Sequence, residues 1–186
     1  MKKSIQYLFG KLVCLYYKID AGKNCYVAPN VKIINRWGGV KLKNNVIVRP
    51  GCNVYAYKGA SLCLGNNVEI GKDSCLAAAF NVEIHDGVLT GPRVFISDHN
   101  HEYHDPYTPI YQQGISGSTS NKVIIGEGTW LGTNVVISGN IKIGKHCIIG
   151  ANSVVTKDIP DYTLAVGVPC KPIKKYDFKC KEWIKI

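Results

Sequence analysis

The sequence predicts an all-β solenoid, a coil that turns a corner every six residues, and three observations carry that expectation. Across residues 125–160 six consecutive hexads open with an aliphatic residue: Ile125, Leu131, Ile137, Ile143, Ile149 and Val155. Four of them follow it with glycine, at Gly126, Gly132, Gly144 and Gly150. The fifth place holds Thr129, Val135, Ile141, Cys147, Ser153 or Ile159, all small or β-branched. A helix spaces apolar residues by three and four, and an isolated strand by two. A strict six fits short strands joined by tight corners, with the aliphatic residue pointing inward on every face. Glycine is expected where the chain turns, since it tolerates positive φ and crowding.

The elements follow in order from this period. Residues 4–18 read as a short helix with Ile5, Leu8, Phe9, Leu12, Leu15 and Tyr16 along one broad face. Such a helix would cap the open end of the coil, as solenoid termini require. A second reading lays residues 4–18 on a membrane surface, with Lys2, Lys3, Lys11 and Lys18 at the polar edge. The coil is expected over residues 25–165. Its hexads open at Val27, Ile33, Leu42, Val48 and Val54, then at Leu64 and Ile70, then at Ile84, Thr90 and Ile96. The phase slips at 37–41 and 57–63, which reads as insertion at corners. The largest break, a loop over 97–121, is polar and holds three of the five histidines, His99, His101 and His104. A long loop on a rigid scaffold is where function concentrates. Residues 166–186 complete a single 1–186 domain as a C-terminal tail or helix.

Composition narrows the partners. A chain of 186 residues is one domain's length, and a formal charge of +10 favours an anionic partner. Lys171, Lys174, Lys175, Lys179, Lys181 and Lys185 crowd the C-terminus. No nucleic acid is expected, because no recognition motif accompanies the charge. The eight cysteines are scattered without a Cys-x-x-Cys pair, and Cys52 and Cys147 fall on fifth places. They read as reduced core thiols of a cytoplasmic protein. No stretch is long enough to span a bilayer. Gln6, Gly10 and Lys11 interrupt the first apolar run, and no small-x-small cleavage site follows. The expected location is the cytoplasm, at the inner membrane surface if the helix lies there.

The run 143–160, with Ile143-Gly-Lys-His-Cys-Ile-Ile-Gly-Ala-Asn-Ser-Val-Val-Thr-Lys-Asp-Ile-Pro, and the motif Ala165-Val-Gly-Val-Pro-Cys-Lys-Pro-Ile-Lys resemble the hexapeptide-repeat acyltransferases. The resemblance covers residues 64–176 well. Within that family it is nearest to the galactoside and maltose acetyltransferases and to the polysaccharide O-acetyltransferases. It implies a left-handed parallel β-helix, acetyl-CoA as acyl donor, no metal, and a homotrimer in which the loop of one subunit reaches the donor groove of the next. The family's catalytic base matches His99, with His101 as the rival and His104 as loop or acceptor contact. Asp98 either orients the imidazole or forms an Asx turn. The donor's pantetheine arm would lie along Trp130, Gly132, Thr133, Ala151, Thr156 and Lys157, and its phosphates near Lys171 and Lys174. The chemistry suits an imidazole, which can take the proton of an attacking hydroxyl and pass it to the departing thiolate. One departure is the N-terminal helix, longer in the sugar acetyltransferases, so the acceptor does not carry over.

Other classes fit the sequence less well. A γ-type carbonic anhydrase shares this coil and would bind zinc through three histidines, here His85, His99 and His104. Its ligands project from regular coil positions, whereas His99 and His104 lie in the loop that breaks the repeat. Serine and amino-sugar N-acetyltransferases carry additional domains that have no counterpart in this sequence. A non-enzymatic scaffold would need neither the loop histidines nor the C-terminal motif. The expectation is O-acetylation of a sugar or surface-polysaccharide precursor by direct attack.

Overall fold

The computed structural model describes residues 3–186. Three parallel sheets wall a prism, and each successive coil adds one rung to each sheet. The first sheet holds Asp20–Ala21, Val40–Leu42, Ser61–Leu64, Asn81–Ile84, Lys122–Ile125 and Ile141–Ile143. The second begins at Tyr26–Val27, and the third runs from Lys32–Ile34 to Val154–Val155. The expected fold class is the one formed.

The hexad logic is visible in the burial. Ile125, Leu131, Ile137, Ile143, Ile149 and Val155 are all buried, and so is every fifth-place residue beside them. The fifth place also ties coil to coil. Thr129 Oγ1 donates to the Gly144 carbonyl at 2.8 Å and accepts from Cys147 N at 3.0 Å. The Cys147 thiol in turn donates to the Pro160 carbonyl at 3.0 Å. A buried polar atom costs stability unless paired, and these are paired through the neighbouring coil.

The second-place glycines have a different reason from the turn expected of them. None has positive φ. A Cβ on Gly144 would lie 2.4 Å from Asp161 N, and one on Gly126 would lie 2.4 Å from Gly144 C. They are there because backbones of adjacent coils approach too closely for a side chain. Positive φ falls on the fourth place: Gly128 at 66°, Asn134 at 58°, His146 at 50° and Asn152 at 60°. Asparagine tolerates that region better than most residues.

Two edges of the prism turn with four residues in every coil, and the third edge varies. There the connections are 35–39, 57–60, 79–80, 98–121 and 139–140. The phase slips and the long loop are therefore one phenomenon: all added residues leave the rod at a single edge. Where that edge is shortest the period is three hexads, and Val123 pairs with Ile141.

Helix α1, Lys3–Tyr16, covers the first coil and ends two residues earlier than expected. Its Gly10 sits so close that a Cβ would meet the Cys25 carbonyl at 2.4 Å. Lys2 lies outside the described residues. The C-terminal helix expected as an alternative for 166–186 is not formed. Lys171–Asp177 pairs antiparallel with Thr163–Val166 and with Glu182–Lys185, extending the second sheet to nine strands. The physical reason is the open edge left by the last coil, whose unpaired N–H and C=O groups a strand satisfies and a helix does not. No helix among the described residues is long and apolar enough to cross a membrane.

Two outcomes are expected. Ile137→Ala, at a fully buried site, should lower unfolding free energy by ~2–5 kcal/mol in a denaturant titration. Burial pushes the Cys14 thiol up to about 11 from the ordinary 9.0, and burial also raises Cys25, Cys52, Cys75, Cys147 and Cys170. These thiols hold protons when folded that the unfolded chain releases, so their contribution is complete below pH 9 and is lost as pH rises towards 11. A thermal-unfolding series across pH should fall in that window.

Candidate active site

The strand Phe95–Ser97 runs up the third face, and at its end the chain departs into the loop. Asp98, at the point of departure, is wholly buried. Its Oδ1 accepts from Ala79 N at 2.9 Å and its Oδ2 from Phe80 N at 2.8 Å. Those donors are the two-residue corner of the preceding coil. A buried carboxylate needs such donors to offset its lost hydration. The same Oδ1 lies 2.9 Å from Nδ1 of His99. Ser97 Oγ is 3.2 Å from that nitrogen and donates to the His99 carbonyl at 2.9 Å.

His99 is thereby held by its backbone and by one ring nitrogen. Its side chain is 14% exposed. Tyr57, from the same edge two coils earlier, meets the imidazole edge-on at 5.8 Å. Nε2 makes no hydrogen bond among the described residues. With Nδ1–H donated to the carboxylate, the neutral ring carries its lone pair on Nε2, the arrangement a proton acceptor requires.

The loop is braced at both ends. Asn121 Nδ2 donates to the Asp98 carbonyl at 3.3 Å, and Ser138 Oγ donates to Asn100 Oδ1 at 2.8 Å. Further out, Asp105 accepts from Tyr107 N and from the Thr108 hydroxyl, which holds its carboxyl below the usual range. Gln113 donates to the carbonyls of Asp105 and Thr108. Asn100–His101 pairs antiparallel with Ile115–Ser116. His101 is exposed there, and His104 is exposed with Nδ1 3.1 Å from Glu102. Neither is enclosed as His99 is.

The residues matched to donor binding divide between two edges. Thr156 and Lys157 are exposed on the same edge as His99, at the last coil. Trp130, half-exposed on the second face, and Gly132, Thr133 and Ala151 lie around a different edge. Gly132 stands directly over Ala151, whose N would be 2.6 Å from a Cβ there. Lys171 and Lys174 are on the closing strand Lys171–Asp177. One chain brings His99, Thr156 and Lys157 to one edge and leaves Trp130, Gly132, Thr133 and Ala151 across a face from them. The described residues contain no cluster of three or more metal-ligating side chains. Sequence reasoning missed Ala79 and Phe80, which contribute only their backbone N–H groups, and Tyr57. The phase slip at 57–63 was the available signal for Tyr57.

Comparison with known proteins adds to this geometry. Residues 122–157 match the family described as bacterial transferase hexapeptide (six repeats). The chain is 32% identical over 167 residues, 88% of its length and 85% of the other's, to WbbJ of Escherichia coli (strain K12), which is named as a lipopolysaccharide biosynthesis O-acetyl transferase. It is 33% identical over 131 residues to the galactoside O-acetyltransferase of the same organism, covering 70% of this chain and 62% of that one. Among solved structures, AntD, an N-acyltransferase from Bacillus cereus in complex with dTDP and 3-hydroxybutyryl-CoA, superposes with a TM-score of 0.75. The alignment covers 91% of this chain and 89% of AntD at 22% identity, a likeness of fold.

Asp98→Asn should cost ~1–3 kcal/mol of stability, because an amide nitrogen then faces a backbone N–H that has lost its acceptor. Denaturant unfolding checks it.

Proposed function

The chain belongs to the hexapeptide-repeat acyltransferases, and from that premise we propose that it transfers an acetyl group from acetyl-CoA to a hydroxyl of a sugar or surface-polysaccharide precursor. The observation that carries the reading is the held imidazole: His99 with Nδ1 against buried Asp98 and Nε2 unengaged. Nε2 takes the acceptor's proton as the hydroxyl oxygen attacks the thioester carbonyl. The C–S bond breaks, and the imidazolium returns the proton to the departing thiolate, so no covalent acyl-enzyme is needed. Asp98 stabilises the transient positive ring and keeps its tautomer. Base catalysis of this kind contributes ~10²–10⁴-fold.

The donor groove we assign to Trp130, Gly132, Thr133 and Ala151, with Thr156 and Lys157 at the catalytic edge and Lys171 and Lys174 for the phosphates. The residues fit such a ligand. Gly132 and Ala151 leave the corner without bulky side chains, and exposed Lys171 with half-buried Lys174 suits phosphate groups. Because the two sets occupy different edges of one rod, a complete site calls for the His99 edge of one subunit beside the groove of the next. The third face supports that assembly, since it presents an apolar row in register through Cys75, Phe95, Val136 and Val154. A closed homotrimer is the ordinary way to bury it. The relatives named as O-acetyltransferases support a hydroxyl acceptor, and cysteines that are all free support a cytoplasmic site of action.

His99→Ala should lower kcat by ~10²–10⁴-fold while oligomer size and melting temperature stay as in the parent, read by thiol release from acetyl-CoA. Near-normal turnover would refute the assignment. Lys171→Ala with Lys174→Ala should raise KM for acetyl-CoA several-fold with kcat retained. An acceptor screen with sugars and amino sugars distinguishes oxygen from nitrogen transfer, and faster turnover of the amines would overturn the hydroxyl reading.

A further inference from the structure

Helix α1 is amphipathic in an unusual sense, because its most apolar stripe faces outward. Gly10 and Cys14 are the buried residues, set against the first coil. Ile5, Leu8, Leu12, Leu15 and Tyr16, on the opposite side, are 51%, 62%, 57%, 65% and 80% exposed. At 100° per residue these five fall within one arc. A capping helix needs only its inner face apolar. The outer stripe is beyond what capping explains, and contiguous exposed apolar surface marks a binding face.

The charge identifies the occupant. Residues 1–50 hold ten Lys or Arg against Asp20 alone, which accounts for nine of the chain's ten units of formal positive charge. The C-terminal lysines noted above form a smaller excess, six against Asp177 and Glu182 over residues 171–186. In the fold residues 3–50 are the helix, the first coil and the first two strands of the second. Lys11, Lys18, Lys23, Arg36, Lys41 and Lys43 are exposed there. Trp37, 53% exposed on the variable edge of the first coil, adds a second interfacial aromatic beside Tyr16. A second copy of this end would meet it with like charge. An anionic partner with an apolar interior meets both features.

We propose that the helix end of the rod docks on an anionic lipid bilayer, with Leu8, Leu12 and Leu15 entering the acyl boundary and the surrounding lysines at the headgroups. This rests on the stripe and the charge alone. Combined with the acetyl-transfer reading, it sets the His99 edge, three coils on, about 15 Å from the first coil at ~4.8 Å per rung. That reach suits a glycan still attached to its lipid carrier.

The test is sedimentation of the full chain with vesicles of phosphatidylcholine alone or with about a third phosphatidylglycerol, at low and high salt. The expected result is binding to the anionic vesicles by ~10-fold or more over the neutral ones, weakened by salt. Leu8→Glu with Leu12→Glu, both at exposed sites, should lose that preference while keeping the melting temperature and the turnover of a soluble acceptor. Absence of binding by the parent, equal binding to both vesicle types, or unchanged binding by the double variant would each overturn the proposal. So would a change in oligomer size in the variant with vesicle binding retained, which would identify a second copy as what covers the stripe.

Discussion

The structure depends on parallel coils stacked in register, so that each edge residue stands over a counterpart one turn away. Pairs such as Ile124 with Lys142 and Glu83 with Cys63 place the residues of one face in columns. Corner residues also stack: Asn44, Asn66 and Asp86 form one ladder, with Asn44 Nδ2 donating to Asn66 at 3.1 Å and Asn66 Nδ2 to Asp86 at 2.8 Å. Those bonds from Asn66 hold the Asp86 carboxyl below the usual carboxylate range. A change at one place is felt by the coils on either side, which is why second-place glycines and fifth-place hydroxyls and thiols recur. Added residues cannot be absorbed inside such a stack and must leave at an edge.

That they leave at one edge makes a site possible. Two edges keep their four-residue turns and maintain the prism, while the third is free to carry 35–39, 57–60, 79–80 and 98–121. Tyr57, the Ala79 and Phe80 amides, and Asp98 with His99 are successive steps of this variable edge. Asp98 fixes where the loop begins, because a buried carboxylate with two backbone donors has no alternative position of similar energy. The imidazole next to it inherits that definition, so a residue on a long loop is placed nearly as well as one on a strand. Preorganisation of this kind is what proton transfer from a weak nucleophile demands.

Much of this was legible in the hexads. Ile125 to Val155 at first places announced the coil, and the interruption at 97–121 pointed to His99. The hairpin at 171–185 was not legible, since its cause is the bare edge of the last coil rather than any local pattern. The fourth-place φ was also hidden, because Asn134, His146 and Asn152 read as ordinary polar residues until the backbone is seen. The partners of Asp98 are amides nineteen and eighteen residues away, and no side-chain pattern marks them. The division of the matched donor residues between two edges follows from which face each hexad occupies. That requires knowing the corner lengths.

In the proposed assembly a site is completed between copies, the imidazole edge of one rod facing the groove edge of another. Mixing subunits tests it most directly. His99→Ala lacks the base, and Ala151→Trp, at an exposed position, obstructs the groove; each alone should be nearly inactive. Co-refolded in equal amounts into one cyclic trimer, they should recover about a quarter of parental activity, the random fraction of interfaces that pair an intact base with an intact groove. Activity no higher than that of the separate variants would contradict the claim.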